Sequence, residues 1–115
     1  FQEENCIFTH AGVSQQWFDE DFHGDATRNI AEQLNNCRPE QLPALFRCGY
    51  ERGGEVNAHG GIFWADIHEL ETPLQGYTQI VGHNRVPEIV DHVANGGRII
   101  FCDCLANGIY LKAEL

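Results

Sequence analysis

Cys6-Ile7-Phe8-Thr9-His10-Ala11-Gly12-Val13 is a short apolar run that stops at a histidine followed by two very small residues. Four to eight apolar residues bounded by a turn signal read as an interior strand, and in open α/β sheets ligands gather just beyond the carboxyl ends of such strands. Ala11 and Gly12 leave room beside the imidazole. A second element of the same construction lies far downstream, where Gln79-Ile80-Val81-Gly82-His83 again joins a strand-like run to a glycine and a histidine. The two histidines are expected to face one another at one edge of a sheet, where they can converge on one ion. The competing reading is that each hydrogen-bonds its own strand end as scaffold.

Working outward from this strand, Trp17 is expected to anchor the segment Ser14 to Phe18 on the sheet edge, and His23 to be a solvated loop residue. From Asp25, a candidate N-cap, the spacing turns helical, with Ile30, Ala31, Leu34 and Cys37 on one face. Pro39 restarts a second helix whose stripe is Leu42, Leu45 and Phe46, running to Gly49. Residues 49–61 hold five glycines and no apolar periodicity, which predicts a mobile loop and matches no phosphate-binding glycine motif. Ile67 to Leu70 suits one helical turn. The last third predicts strands over Thr78–Val81, Glu88–Val93, Arg98–Cys102 and Gly108–Leu115, the last two paired across Ala106-Asn107-Gly108 as an antiparallel meander, with a further tight turn at Asn95-Gly96-Gly97. Cys102 and Cys104 are expected to share a strand face.

At 115 residues and 43% hydrophobic composition the chain makes one domain at most, with a modest core. A formal charge of −10 argues against nucleic acid or an anionic membrane as partner. No apolar run reaches the roughly 18–20 residues of a membrane span. Five cysteines, an odd number without any C-x-x-C pair, fit reduced thiols in a cytoplasmic setting better than a disulfide framework or zinc knuckle. No cysteine is followed at the right spacing by arginine, which excludes a Cys-based phosphatase.

His10-Ala11-Gly12, then Gly61-Ile62-Phe63-Trp64-Ala65-Asp66, then Gly82-His83, then Ile99-Ile100-Phe101-Cys102-Asp103-Cys104 with Gly108-Ile109-Tyr110-Leu111 resemble, in order, four segments of the calcineurin-like metallophosphoesterases. The phosphoprotein-phosphatase branch and its bacteriophage and bacterial relatives are the most similar. The resemblance implies an α/β (α+β) fold, the C-terminal half of a calcineurin-like metallophosphoesterase β-sandwich with flanking helices, so that 1–115 form a single partial domain.

The resemblance further implies a phosphatase that hydrolyses phosphate monoesters of a phosphorylated protein or small molecule, using a binuclear centre of divalent Mn, Fe, Zn or Ni. Carried over, His10 and His83 are ligands of the second metal, and Asp66 is a site-ordering residue near it. Arg52 and His59 are candidates to meet the substrate phosphate. Phage-type relatives carry an arginine just after the tryptophan; here those places are Ala65 and Asp66. Relatives also take ligands from Gly-Asp-x-His-Gly, Gly-Asp-x-x-Asp-Arg-Gly and Gly-Asn-His-Glu, and none of these occurs in this sequence. A partial, inactive site is therefore expected, as is self-association through a face left bare, with Ile7, Phe8 and the closing strands in the contact. A non-catalytic, metallophosphoesterase-like binding or scaffold domain is the alternative.

Overall fold

The computed structural model describes residues 1–114 and is a mixed α+β fold built on one five-stranded sheet. The strands are β1 (Gln2–Glu3), β2 (Cys6–Thr9), β3 (Thr78–Arg85), β4 (Val90–Ala94) and β5 (Gly97–Asp103), in the order β1-β2-β3-β5-β4. β2, β3 and β5 run parallel, while β1 and β4 flank them antiparallel. The expected closing meander is thus corrected. β5 returns beside β3 in parallel, and among the closing strands only β4 and β5 pair antiparallel, as a hairpin. That hairpin turns at Asn95 and Gly96, both at positive φ (56° and 69°), as a two-residue primed turn requires.

The register assigns the faces. Ile7, Gln79 and Ile99 lie abreast, as do Phe8, Ile80 and Ile100 one step on. The first row is fully buried under the connecting segments. Ile7 joins a cluster with Val13, Trp17, Phe18 and Phe22, whereas Val81, Ile99 and Phe101 pack with Ala11, Ala65 and Leu70. Trp17 is wholly buried and stacked on Phe22, and its indole N–H donates to the Ala44 carbonyl at 3.0 Å. Phe8 and Ile80 of the second row line a cleft of about 400 Å³ that Leu105, Ile109, Tyr110 and Leu111 partly roof. Ile7, expected in a bare contact face, is therefore a core residue; Phe8 is the one that looks outward.

Helical cover is sparser than the periodicity suggests. α1 (Ile30–Asn35) starts at Asn29, whose side chain accepts from Glu32 N–H, and Gln2 reaches over from β1 to accept from Ile30 and Ala31. Asp25, the expected cap, instead closes a local turn onto Thr27. A 3₁₀ turn at Pro39–Gln41 leads into the one-turn α2 (Leu42–Leu45), and Leu42 and Phe46 of the expected stripe are exposed. The loop 49–61 is pinned rather than free. Gly61 donates to Arg47 O, Gly60 to Glu69, and a Cβ on Gly61 would fall 2.3 Å from Ala44 O. After β5 the chain makes a 3₁₀ turn, Leu105–Asn107, closed by Gly108 at positive φ, and no strand follows it among the described residues; Leu115, the end of the strand expected there, lies outside them. Because β5 stops at Asp103, Cys102 faces the outer cleft and Cys104 is in the core, so they do not share a face.

Gln79 is a wholly buried polar residue inside β3. Its amide accepts from Val13 N–H and donates to Val13 O, both at 2.8 Å, and so stands in for a missing pair of ladder bonds. Gln79→Leu leaves Val13 N–H unpaired in the core and Val13 O with only its bond from Leu74 N–H. A loss of about 1–3 kcal/mol in urea unfolding is expected, and no measurable loss would contradict this role.

Candidate metal centre

The two strand-end histidines meet. His10 follows β2 directly, and its Nε2 lies 3.0 Å from Nδ1 of His83, with ring centroids 4.9 Å apart and planes inclined by 60°. The parallel ladder brings Thr9 level with Val81, and a further bond from Gly82 N–H to His10 O extends it one step. β3 then departs from regularity. Between its pairs with Phe101 and Asp103 it advances from Val81 to Arg85, four residues against two, and His83 sits in this bulge at φ 62°. Bulges re-aim side chains, and here the result is an imidazole turned toward its counterpart. Gly12, at φ 116°, has Ile99 and Leu70 methyls 3.0–3.2 Å from where a Cβ would be, so the chain behind His10 bends against the core with no space for a side chain.

Around the pair is a polar bracket. Arg52 lies with Nε 2.9 Å from Asp66 Oδ1 and donates from Nη2 to Asn84 Oδ1 at 2.7 Å. Asn84, the residue after His83, is buried; its Oδ1 also accepts from Ile67 N–H, and its Nδ2 donates to Ala65 O. Asp66 Oδ2 accepts from the His68 backbone N–H and contacts the His68 ring at 2.7 Å. Asp66 therefore caps the 3₁₀ turn Ile67–Glu69 and ties Arg52 to it, which suits an ordering role. His59 is elsewhere, 3.1 Å from Asp21 with Arg47 on the other carboxylate oxygen, so the structure gives it a loop-fastening contact rather than a place beside His10 and His83.

Electrostatics favour a neutral His83. Burial, then the positive Arg52, then His10 hold it below its ordinary value of 6.5, and its Nε2 is buried without a hydrogen-bond partner. A metal ligand must be the neutral imidazole, so these are the conditions a ligand needs. His68 is moved the opposite way, up, by its hydrogen bond to Asp66 and that carboxylate's charge. Burial resists ionisation of Asp66, but the His68 N–H, the His68 ring and Arg52 together prevail and keep its pKa low. Glu51, Asp66 and His68 also bring one ligand atom each within 4.8 Å of one another. Both Asp66 oxygens are already engaged there, by Arg52 and by His68.

Asn84 is not legible as a site residue in the sequence; its only trace there is a polar amide directly after Gly82-His83. Phe46, a member of the expected apolar stripe, lies exposed and stacked on Phe63, with centroids 5.0 Å apart and planes within 11°. Phe63 is in turn 6.5 Å from His10, and Trp64 stands nearly perpendicular to His83 at 5.9 Å.

No known family pattern, no curated protein and no solved structure matches this chain. Among the described residues no helix is long and apolar enough to cross a membrane. All five cysteines are free thiols.

The opposed shifts give a pH signature. His83 binds its proton more weakly folded than unfolded, so its contribution to stability is present above 6.5 and is lost as pH falls below that value toward its folded midpoint. His68, raised, contributes fully below 6.5 and loses that contribution as pH rises through its folded midpoint. In an NMR titration of the ring protons His83 should therefore turn below 6.5 and His68 above it, with Arg52→Met moving His83 upward. A His83 midpoint at or above 6.5 would refute the assignment.

Proposed function

We propose that this chain is the His10- and His83-bearing part of a calcineurin-like metallophosphoesterase, and that the two imidazoles share one divalent ion in the hydrolysis of a phosphate monoester. The observation that carries the reading is the 3.0 Å approach of His10 Nε2 to His83 Nδ1 from neighbouring parallel strands. Two ring nitrogens bound to one ion at about 2.0–2.1 Å are separated by about 2.9–3.4 Å as the angle between them opens from square to tetrahedral. The observed 3.0 Å lies within that range.

When bound, a divalent Mn, Fe, Zn or Ni ion supplies a water of lowered pKa and polarises a phosphoryl oxygen. The chain's own residues prepare for this. Burial, then the positive Arg52, lower the pKa of His83 and so favour its neutral form. Asp66 and Asn84 fix Arg52 through Nε and Nη2, leaving Nη1 without a hydrogen bond among the described residues as the group to meet a substrate phosphate. That phosphate belongs to a phosphorylated protein or small molecule. The remaining metal ligands must come from residues other than these, since the three further ligand motifs do not occur in the sequence. By itself the chain is therefore expected not to turn over substrate. The sheet face bearing Phe8 and Ile80 is the surface through which it would self-associate, and sedimentation at micromolar concentration should show dimers that Phe8→Asp dissociates; a monomer throughout would remove that part of the proposal.

An approach of 3.0 Å also suits an N–H···N bond between two neutral rings, which supports the scaffold reading. Calorimetric titration with Zn²⁺ and Mn²⁺ separates the two. We expect one ion per chain, weakened by more than about a hundredfold in both His10→Ala and His83→Ala, beyond the roughly 10–100-fold that loss of an outer-shell partner typically costs. Uptake that is absent, or indifferent to both substitutions, would leave the histidines as scaffold.

A further inference from the structure

Three large aromatic side chains beside the imidazole pair are used by neither core cluster: Phe46 is 57% exposed, Trp64 43% and Phe63 37%. Scattered exposed aromatics need no explanation, but a contiguous group of them at the rim of a polar site is the usual construction of a ligand subsite. Here the group is contiguous. Phe46 and Phe63 are stacked within 11° of parallel, Phe63 lies 6.5 Å from His10, and Trp64, the next residue, lies 5.9 Å from His83.

The backbone fixes this arrangement. Trp64 and Ala65 N–H groups both donate to Gly61 O in a tight turn, Gly61 itself donates to Arg47 O, and Gly60 and Asp66 donate to the two carboxylate oxygens of Glu69. The turn is thus fastened at both ends, and Arg47 follows Phe46 directly. Phe46 and Phe63 therefore reach solvent already paired, and a third ring added to the stack requires little ordering of the protein.

We infer that Phe46, Phe63 and Trp64 form a stacking subsite for a planar aromatic ring carried by the phosphate ester that binds at His10 and His83. The inference rests on the metal reading above for the placement of the phosphate, and on the aromatic geometry alone for the ring. A serine or threonine phosphate offers nothing to stack and would leave these rings wet. A nucleobase or a phenyl ester presents both a phosphate for the histidine end and a π-face for Phe63. Stacking of this kind is sequence- and substituent-tolerant, because any planar ring has such a face.

The test titrates AMP, phenyl phosphate and ribose 5-phosphate into the Zn²⁺-loaded chain, following Trp fluorescence and the aromatic NMR signals. AMP or phenyl phosphate, or both, should bind about tenfold more tightly than ribose 5-phosphate, as loss of one stacked ring typically costs that much or more. Which of the two leads identifies the ring as nucleobase or phenyl. Phe63→Leu and Phe46→Leu, both at exposed positions, should each reduce that ratio several-fold while leaving ribose 5-phosphate affinity unchanged. Equal affinities for all three probes, or a ratio untouched by both substitutions, would overturn the inference. Adenosine added to metal-free protein keeps the two readings apart. Shifts confined to Phe46, Phe63 and Trp64 support the subsite even where Zn²⁺ fails to bind, and their absence counts against it even where Zn²⁺ binds.

Discussion

The hydrogen bond from Gly82 N–H to His10 O, 3.0 Å long, continues the β2–β3 ladder past the last residue of β2, and the site depends on it. Parallel strands that end level deliver their next residues to the same side of the sheet edge. Without this bond His10 would begin a loop whose direction nothing in β2 fixes. With it, the backbone carrying His10 is registered against the backbone carrying His83. Gln79, one face of the sheet below, repeats the device with its side chain by closing two bonds to Val13, so that the turn His10-Ala11-Gly12 is held at both ends. The close contacts around Gly12 then press that turn onto Leu70 and Ile99.

Legibility in the sequence follows from how local each signal is. The strands Cys6–Thr9, Thr78–Val81 and Arg98–Cys102 are apolar runs ended by turn residues, and such runs fold as read. The turn at Asn95-Gly96 was legible for the same reason, since its two residues accept positive φ cheaply. Ala106-Asn107-Gly108 carries the same pair of residues and closes a 3₁₀ turn instead. There only Gly108 takes positive φ, so an Asn-Gly pair tolerates left-handed backbone without fixing it, and it does not specify the partner strand that would make a hairpin. The direction of β5 was likewise hidden. Whether a strand returns parallel or antiparallel is settled by what crosses between, and here the crossing element is the edge strand β4 rather than a helix.

At the site, the convergence of His10 and His83 could be expected from two similar strand endings, but the means of it could not. His83 sits at φ 62° in a two-residue bulge, a conformation that costs of order 1–3 kcal/mol and persists only where surroundings impose it. The surroundings are Asn84, buried next to it and bonded to Ala65, Ile67 and Arg52. Each of those partners is 17 or more residues away in sequence, so no local pattern announces them. Arg52 was legible only as a charge in a glycine-rich loop, and its neighbour-in-space Asp66 only through resemblance. His59, of equal standing beforehand, is held by Asp21. Two similar loop residues were separated by which carboxylate the fold placed nearby.

The bracket also resolves an electrostatic conflict. A guanidinium beside an imidazole is unfavourable if both are charged, and Arg52 does not give up its proton. The conflict can be relieved by a neutral His83, by distance, or by a carboxylate placed between. The structure uses the first and a form of the third. Asp66 takes the Arg52 Nε and the His68 ring, so the compensating negative charge is spent on Arg52 and on a second histidine, while His83 keeps no carboxylate of its own within hydrogen-bond reach. Were Asp66 to contact His83 instead, it would raise that imidazole's affinity for protons as it does for His68. The pKa values of the two histidines near this aspartate and arginine thus move in opposite directions, His83 down through burial and then Arg52, His68 up through Asp66, and the one moved down is the one whose Nδ1 faces His10.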